Sequence, residues 1–161
     1  MGNKEDIAVT ALDVANYFIF RSHQENKVIT NKKLQKLLYY AQAWHMVLRK
    51  KPLFPDDIEA WVHGPAVRAV YDKYKNFGFS GISEQVEADG LDKLPAKDLL
   101  EEVWRVYGKF DADYLEELTH NEEPWLSARS GLDAHIASNN VIDRAVMERY
   151  YSDKLTRARS K

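Results

Sequence analysis

The feature that most constrains this fold is a long amphipathic segment that begins near residue 30. Apolar side chains recur every three or four positions from Leu34 to Leu48, which is the spacing of one buried face of an α-helix. Thr30 or Asn31 can act as the N-cap. At the other end of the segment, three basic residues follow Leu48, where the negative end of the helix dipole favours positive charge. Because Pro52 prevents continuation, the sequence predicts a long helix that ends just before it.

The segment between Pro52 and Pro65 changes to a period of two. Side chains alternate between small or branched apolar and polar or aromatic types over Ile58–His63, which is typical of a short strand or extended run. Gly64 permits a sharp turn, and Pro65 suits the first position of a helix, where its missing N–H costs nothing. We therefore predict an extended run over Ile58–Val62, followed by a helix over Pro65–Phe77.

Capping residues and helical spacing mark further helices on both sides of these segments. Thr10 with Asp13 forms a variant capping-box pattern before a helix of about Ala11–His23. Pro95 opens a helix that ends before Gly108, Asp111 can cap a short one, and Pro124 can open another. The last helix is expected to begin at the N-cap Asn140, with an inward face at four-residue intervals: Ile142, Val146 and Tyr150.

These patterns predict a mainly α fold, with about six helices and a minor β element in a single compact helical domain. A length of 161 residues is typical of one domain, assigned here to residues 1–161 with a core of about 8–151 and a basic tail at 152–161. The net charge is −2, so the chain has no overall field that would hold a nucleic acid. No apolar run reaches the roughly 20 residues that span a bilayer, and we expect no membrane partner and a cytoplasmic location.

Two interpretations of Trp61 are open. If Ala60 and Val62 face the core, alternation turns Trp61 and His63 toward solvent or a partner, where large aromatic residues are favoured anchors. Otherwise Trp61 fills the core. Four tyrosines could join the same surface or could lie along core helices with their hydroxyls exposed: Tyr39, Tyr40, Tyr71 and Tyr74.

Lys32, Lys33 and Lys36 cluster on the first turns of the long helix. A helix start is already positive, so this placement carries a mild electrostatic cost. The cluster is either an ordinary solvated face or a site that pairs with an acidic partner or with the acidic segment 84–102 of this chain.

His120 is a candidate for acid–base chemistry because Glu122 and Glu123 follow it. The alternative is a structural role in which the ring bonds a neighbouring backbone group. None of the five histidines is three or four residues from another, so no metal site is expected. Nucleotide-binding, hydrolase and zinc-protease motifs are missing from the sequence, and a chain without cysteine cannot use a thiol nucleophile, so we expect no cofactor and no enzymatic activity.

Three stretches together resemble a known family. They are the helix 33–44, the run 58–67 with its Trp61 and Gly64-Pro65, and a late stretch containing Thr119-His120, Pro124-Trp125 and Ala128-Arg129. The pattern is similar to the Panacea domain of SocA-like bacterial antitoxins, which also occurs in phage-associated proteins, and the resemblance covers about residues 8–151. His63 and Ala66 depart from it, since an aromatic residue and a valine are common at those positions.

This resemblance implies an antitoxin that neutralises a cognate protein toxin by direct binding and that, in the SocA branch, also delivers the toxin to a cellular protease. The candidate partner-binding residues are Lys33, Lys36, Tyr39, Trp61, His63, Gly64, Pro65, Tyr71, His120 and Trp125. Two alternatives remain at this stage. One is a small enzyme that uses His120 and its neighbouring glutamates, and the other is a helical nucleic-acid-binding protein that uses the lysines and the basic tail.

Overall fold

The computed structural model describes residues 9–160, so residue 8 of the predicted core and residue 161 of the predicted tail lie outside the described part. Helix α1 spans Ala11–Gln24 and begins with the predicted capping box between Thr10 and Asp13. Helix α2 spans Asn31–Arg49, with the Thr30 hydroxyl accepting a hydrogen bond from the backbone of its third residue. Both helices confirm the expectation from helical spacing and capping residues.

A small β-hairpin follows α2. Strand β1 (Glu59–Trp61) pairs antiparallel with strand β2 (Gly64–Ala66), with Ala60 opposite Pro65. The segment 140–142 covers the outer edge of β1. The Ala60 N–H donates to the Asn140 carbonyl, and the Ile142 N–H donates to the carbonyl of Ile58 just before the strand, each at 2.8 Å. The predicted extended run is therefore confirmed as the first strand of a hairpin. Here β1 lies beside the segment 140–142, which is distant from it in sequence.

The prediction that Pro65 opens a helix is wrong. Pro65 lies in β2, and helix α3 begins three residues later, spanning Arg68–Tyr74. The backbone N–H of Ala60, opposite Pro65, points away to Asn140. Because β1 makes no hydrogen bond to the backbone nitrogen of residue 65, a proline, which has no N–H, is tolerated there in β2.

Seven α-helices lie within residues 9–160, and they confirm the mainly α fold. The remaining ones are α4 (Lys97–Tyr107), α5 (Ala112–His120), α6 (Glu123–Ala128) and α7 (Arg144–Arg159). The predicted start of the last helix is wrong, since Asp143 rather than Asn140 caps α7. Ile142 belongs to the segment beside β1, and the buried face of α7 falls one residue later than predicted, on Met147 and Tyr151.

Helix α2 is the centre of the molecule. It packs against α1, α3, α4, α5, α7 and β2, and fourteen of its nineteen residues are buried. Because other elements surround α2 on nearly all sides, polar side chains of the helix are buried as well, and they make their hydrogen bonds within the protein. The side-chain amide of Gln42, for example, bonds the backbone of residues 53–54 in three ways. The helix thus fixes the loop that leads into the hairpin.

Among residues 9–160, no helix combines the length and the apolar character that crossing a bilayer requires.

Candidate partner-binding groove

An open groove of about 870 Å³ runs along the hairpin. Its walls are the start of α2, the turn of the hairpin, helix α3 with the turn after it, and the loop 137–139. We call it the hairpin groove. The residues that matter below are Lys32, Lys36, Trp61, His63, Arg68, Tyr71 and Phe79.

Trp61 forms an aromatic wall of this groove together with Tyr71. Their rings meet edge to face with centroids 4.9 Å apart, and the Arg68 guanidinium lies 5.1 Å from the Trp61 ring centre. Trp61 Nε1 donates a 2.8 Å hydrogen bond to Glu59, which also pairs with Arg68. Ala60 is fully buried while Trp61 is half-buried and lines the groove, as the interpretation that turns Trp61 to the surface predicts. Val62, which that interpretation also places in the core, is half-buried and lines the groove as well.

The turn of the hairpin depends on Gly64. Its φ of +109° lies in a region that residues with a side chain rarely adopt, and a Cβ placed there would lie 2.5 Å from Lys36 Cε. Glycine is therefore required twice, once for the backbone conformation and once for the approach of the lysine. The result is an exposed His63 at the tip, above a buried lysine.

Lys36 lies beneath this turn with only 2% of its surface exposed. Its Nζ donates to the backbone carbonyl of Pro65 at 3.2 Å. Burial lowers the pKa of Lys36 to about 7, with Glu116 opposing that shift and Lys32 adding to it. The lysine is thus poised between its neutral and charged forms near neutral pH.

Three planar side chains stack behind the hairpin and hold it. The rings of His120 and Trp125 stack with centroids 4.0 Å apart and 16° between their planes, and the Arg129 guanidinium lies 4.7 Å from the Trp125 ring centre. Trp125 Nε1 donates to the Trp61 carbonyl at 2.8 Å, and Arg129 donates to the Ala60 carbonyl at 3.1 Å. Side chains from α6 and its C-cap therefore fix the backbone of two residues of β1, one of which lines the groove.

His120 completes this stack at the hairpin turn. Burial lowers its pKa, while Glu116 and the backbone of Val62 favour its protonated form. Its Nε2 is buried without a hydrogen-bond partner and lies 3.8 Å from Glu116 Oε2. The ring contact with backbone and Trp125 matches the structural interpretation of His120.

Arg129 was missing from the candidate residues, yet it ties the groove together. It is 1% exposed and also donates to the backbone carbonyls of Asp133, Ala134 and Ile136. These bonds fold the loop that leads to the 137–139 wall. A signal existed in the sequence, because Arg129 lies four residues after Trp125 and the two therefore share a face.

The structure brings together only part of the predicted binding set. Lys36, Trp61, His63, Gly64 and Tyr71 line the hairpin groove. The other five do not: Lys33, Tyr39, Pro65, His120 and Trp125.

Each of these five has an internal role instead. Tyr39 and Trp125 are 0% and 2% exposed and neither lines the groove, and Pro65 is likewise buried. Lys33 donates to the Gly108 carbonyl on another side of α2. Helical spacing alone cannot show which residues of α2 line the groove, because this helix is buried on nearly all sides.

Tyr39 belongs to a buried polar cluster that attaches α7 to α2. The Tyr151 hydroxyl lies 3.2 Å from that of Tyr39 and 2.6 Å from Glu122 Oε1, and Tyr40 bonds the same oxygen at 3.3 Å. Burial raises the pKa of Glu122, although its hydrogen bonds and Lys154 favour ionisation. This cluster lies inside the protein, apart from the residues that line the groove.

The geometry does not favour either alternative function. Glu122 turns into the tyrosine cluster and Glu123 pairs with Arg149 at 2.9 Å, so neither forms an acid–base pair with His120. Among the lysines of α2, Lys32 is paired with Asp113 at 2.8 Å, Lys33 is bonded to a backbone carbonyl, and Lys36 is buried. They therefore present no common cationic face of the kind that binds phosphates.

The structure combines a mainly helical scaffold with an open groove that has an aromatic wall. The chain belongs to the antitoxin SocA-like Panacea domain family, whose model matches residues 34–126. It is also similar to antitoxin SocA of Caulobacter vibrioides (strain NA1000 / CB15N), with 27% identity over 165 residues, covering 92% of this chain and 86% of that protein. No solved structure gives a significant match. Family membership supports an antitoxin role and a toxin partner.

Proposed function

We propose that this chain neutralises a cognate protein toxin by direct contact and that the hairpin groove is the contact surface. The observation that carries the proposal is the aromatic wall that the half-buried Trp61 and the exposed Tyr71 form in a groove of about 870 Å³. Buried aromatic anchors in well-packed pockets supply much of the binding energy at protein interfaces. Trp61 is the side chain best placed to serve as that anchor.

The frame around Trp61 also favours binding. Its carbonyl is held by Trp125, its indole N–H by Glu59, and the strand edge beside it by the segment 140–142. A surface that is already ordered loses little conformational freedom when a partner docks. The family model ends at residue 126, so it includes the hairpin and Trp125 but not Arg129.

The test is co-expression with the small reading frame that neighbours this gene. Growth should be rescued by the native chain and not by Trp61→Ala, while the variant keeps its helical circular dichroism and cooperative unfolding. Truncating a central aromatic anchor costs about 2 kcal/mol or more, which is roughly a thirtyfold loss of toxin affinity.

Tyr114→Ala is the matched control. Tyr114 is an exposed aromatic residue, 47% accessible, that does not line the groove. This variant should protect as well as the native chain. Full protection and unchanged toxin affinity in folded Trp61→Ala would refute the groove as the contact surface.

Delivery of the toxin to a cellular protease is a separate proposal that rests on the resemblance to the SocA branch. It predicts that the half-life of the toxin shortens when this chain is present. If binding blocks the toxin while its half-life stays the same, neutralisation is by capping alone. The cytoplasmic location stays a prediction that cell fractionation of the tagged chain can check.

A further inference from the structure

The cations that line the hairpin groove differ in one respect. Lys32, Arg68 and Lys75 each have a carboxylate partner, on α5, β1 and α3 respectively. Lys36 has no carboxylate within ion-pair distance among residues 9–160. None of the residues that line the groove is acidic. The groove therefore contains a single cation that nothing in its surroundings neutralises directly.

The position of Lys36 makes this costly. An ammonium group has three N–H donors, and its only acceptor within the described structure is the Pro65 carbonyl at 3.2 Å. A buried charge without a counter-ion is unfavourable, and a carboxylate that reaches it relieves that penalty. The titratable or charged groups that face it are Lys32 on its own helix, Glu116 and His120 on α5, and His63 at the hairpin turn.

Glu116 does not serve as this counter-ion. It bonds the Lys32 ammonium through one oxygen, and its other oxygen lies 3.2 Å from His63 Nδ1. Its influence on Lys36 is long-range. A second carboxylate would have to enter from the groove.

We propose that the groove docks a segment of the partner protein in which a glutamate or aspartate side chain, next to an apolar residue, reaches Lys36. This inference rests on the proposed function and specifies the chemistry of the docking segment. Lys36 is 2% exposed but is one of the residues that line the groove, so a carboxylate has to reach it at the end of a side chain while the partner's backbone stays outside.

The apolar neighbour has its own place. Trp61 and Tyr71 form one wall, and Phe79, which is 97% exposed, stands on the turn after α3 at the groove. An apolar side chain between these rings would bury surface that the free protein leaves in water. The groove thus combines an aromatic wall with a single buried cation, which is the usual mixture of a specific binding site.

Proton uptake is the signature of this arrangement. In the free protein the pKa of Lys36 is about 7, so the amine is largely neutral at pH 8.5. A carboxylate beside it stabilises the ammonium form and raises that pKa. Binding of an acidic segment must therefore take up a proton at alkaline pH, and the affinity should fall by about twentyfold between pH 6.5 and 8.5.

The experiment uses the full chain and two blocked tetrapeptides, alanine-phenylalanine-glutamate-alanine and the same sequence with glutamine. Calorimetry and the NMR signals of lysine labelled at Cε follow binding at pH 6.5 and 8.5. We expect the glutamate peptide to bind about tenfold or more tightly than the glutamine peptide at pH 6.5, to shift the Lys36 signal, and to lose that advantage at pH 8.5. Lys36→Met should bind both peptides equally.

His63→Gln is the control for the imidazole that lines the groove, and it should keep the pH dependence. Equal affinity for the two peptides, or a preference for glutamate that Lys36→Met retains, overturns the inference. The outcome is separable from that of the proposed function. If Trp61→Ala abolishes protection while Lys36 shows no response to the acidic peptide, the groove remains the toxin site and only its carboxylate subsite falls.

Discussion

Substitution of Gly64 by alanine tests the link between the hairpin turn and Lys36. Two costs add. The backbone must keep a φ of +109°, which costs a residue with a side chain about 1–2 kcal/mol. The new Cβ also lies 2.5 Å from Lys36 Cε and 3.1 Å from Thr119 Oγ1, and overpacking a buried contact costs about 1–3 kcal/mol. The expected total is about 3 kcal/mol.

Urea unfolding followed by circular dichroism measures this loss, and for a chain of this size it corresponds to a decrease in Tm of about 6–12 °C. Gly90→Ala is the matched control. Gly90 has a comparable φ of +89°, but a Cβ there would meet nothing within 4 Å. It should therefore lose only the backbone part, about 1–2 kcal/mol.

A double-mutant cycle separates the contact from the backbone strain. Lys36→Ala removes the Cε and Nζ atoms that the new methyl group would strike, so Gly64→Ala should cost about 1–2 kcal/mol less in that background. Equal costs in both backgrounds would show that Lys36 does not fill the space under the turn. Equal losses for Gly64→Ala and Gly90→Ala would refute the close approach altogether.

Three further substitutions test the interior. Burial raises the pKa of Glu122, so the folded state holds a proton more tightly than the unfolded chain. The free energy of unfolding should therefore fall as pH rises from the ordinary glutamate pKa through the raised one. Glu122→Gln, which can still accept a hydrogen bond from Tyr151, should flatten that pH dependence in urea titrations at pH 4–8. Gln42→Leu should cost about 2–4 kcal/mol in urea unfolding, because it leaves buried backbone groups of 53–54 unpaired. Arg129→Lys keeps the charge but loses the planar fork, and hydrogen exchange should quicken in the segment it ties to the strand, with a loss of about 2 kcal/mol; unchanged exchange would contradict that role.

Much of the fold was accessible from local signals. The capping box at Thr10 and Asp13 and the cap at Thr30 gave two helix starts correctly, because these bonds are made within four residues of the chain. The start of α7 was missed because Asn140, a good cap by residue type, bonds instead to the neighbouring strand. A pairing between segments 80 residues apart leaves no local trace.

The residues of the candidate site also divide into those that local sequence signals predict and those that they do not. Alternation along β1 turned Trp61 outward correctly, since the period of a strand fixes which face a side chain takes. The partners of Lys36 and Tyr39 could not be foreseen, because a helix buried on nearly all sides has no polar face to serve as a reference. Gly64 and Pro65 by residue type predict a turn leading into a helix, whereas both lie in β2. Contacts from α2 hold that strand, through the bond of Lys36 to the Pro65 carbonyl and that of Gln35 to the backbone N–H just after the strand.

The stack of His120, Trp125 and Arg129 has a consequence for how such proteins can diversify. Trp125 and Arg129 of this stack bond the main-chain carbonyls of Trp61 and Ala60. The side chains of Trp61 and His63 lie on the opposite side and line the hairpin groove. Hydrogen bonds to main-chain carbonyl groups do not depend on which side chains the hairpin carries. The exposed side chains of the hairpin can therefore vary while its backbone keeps its position.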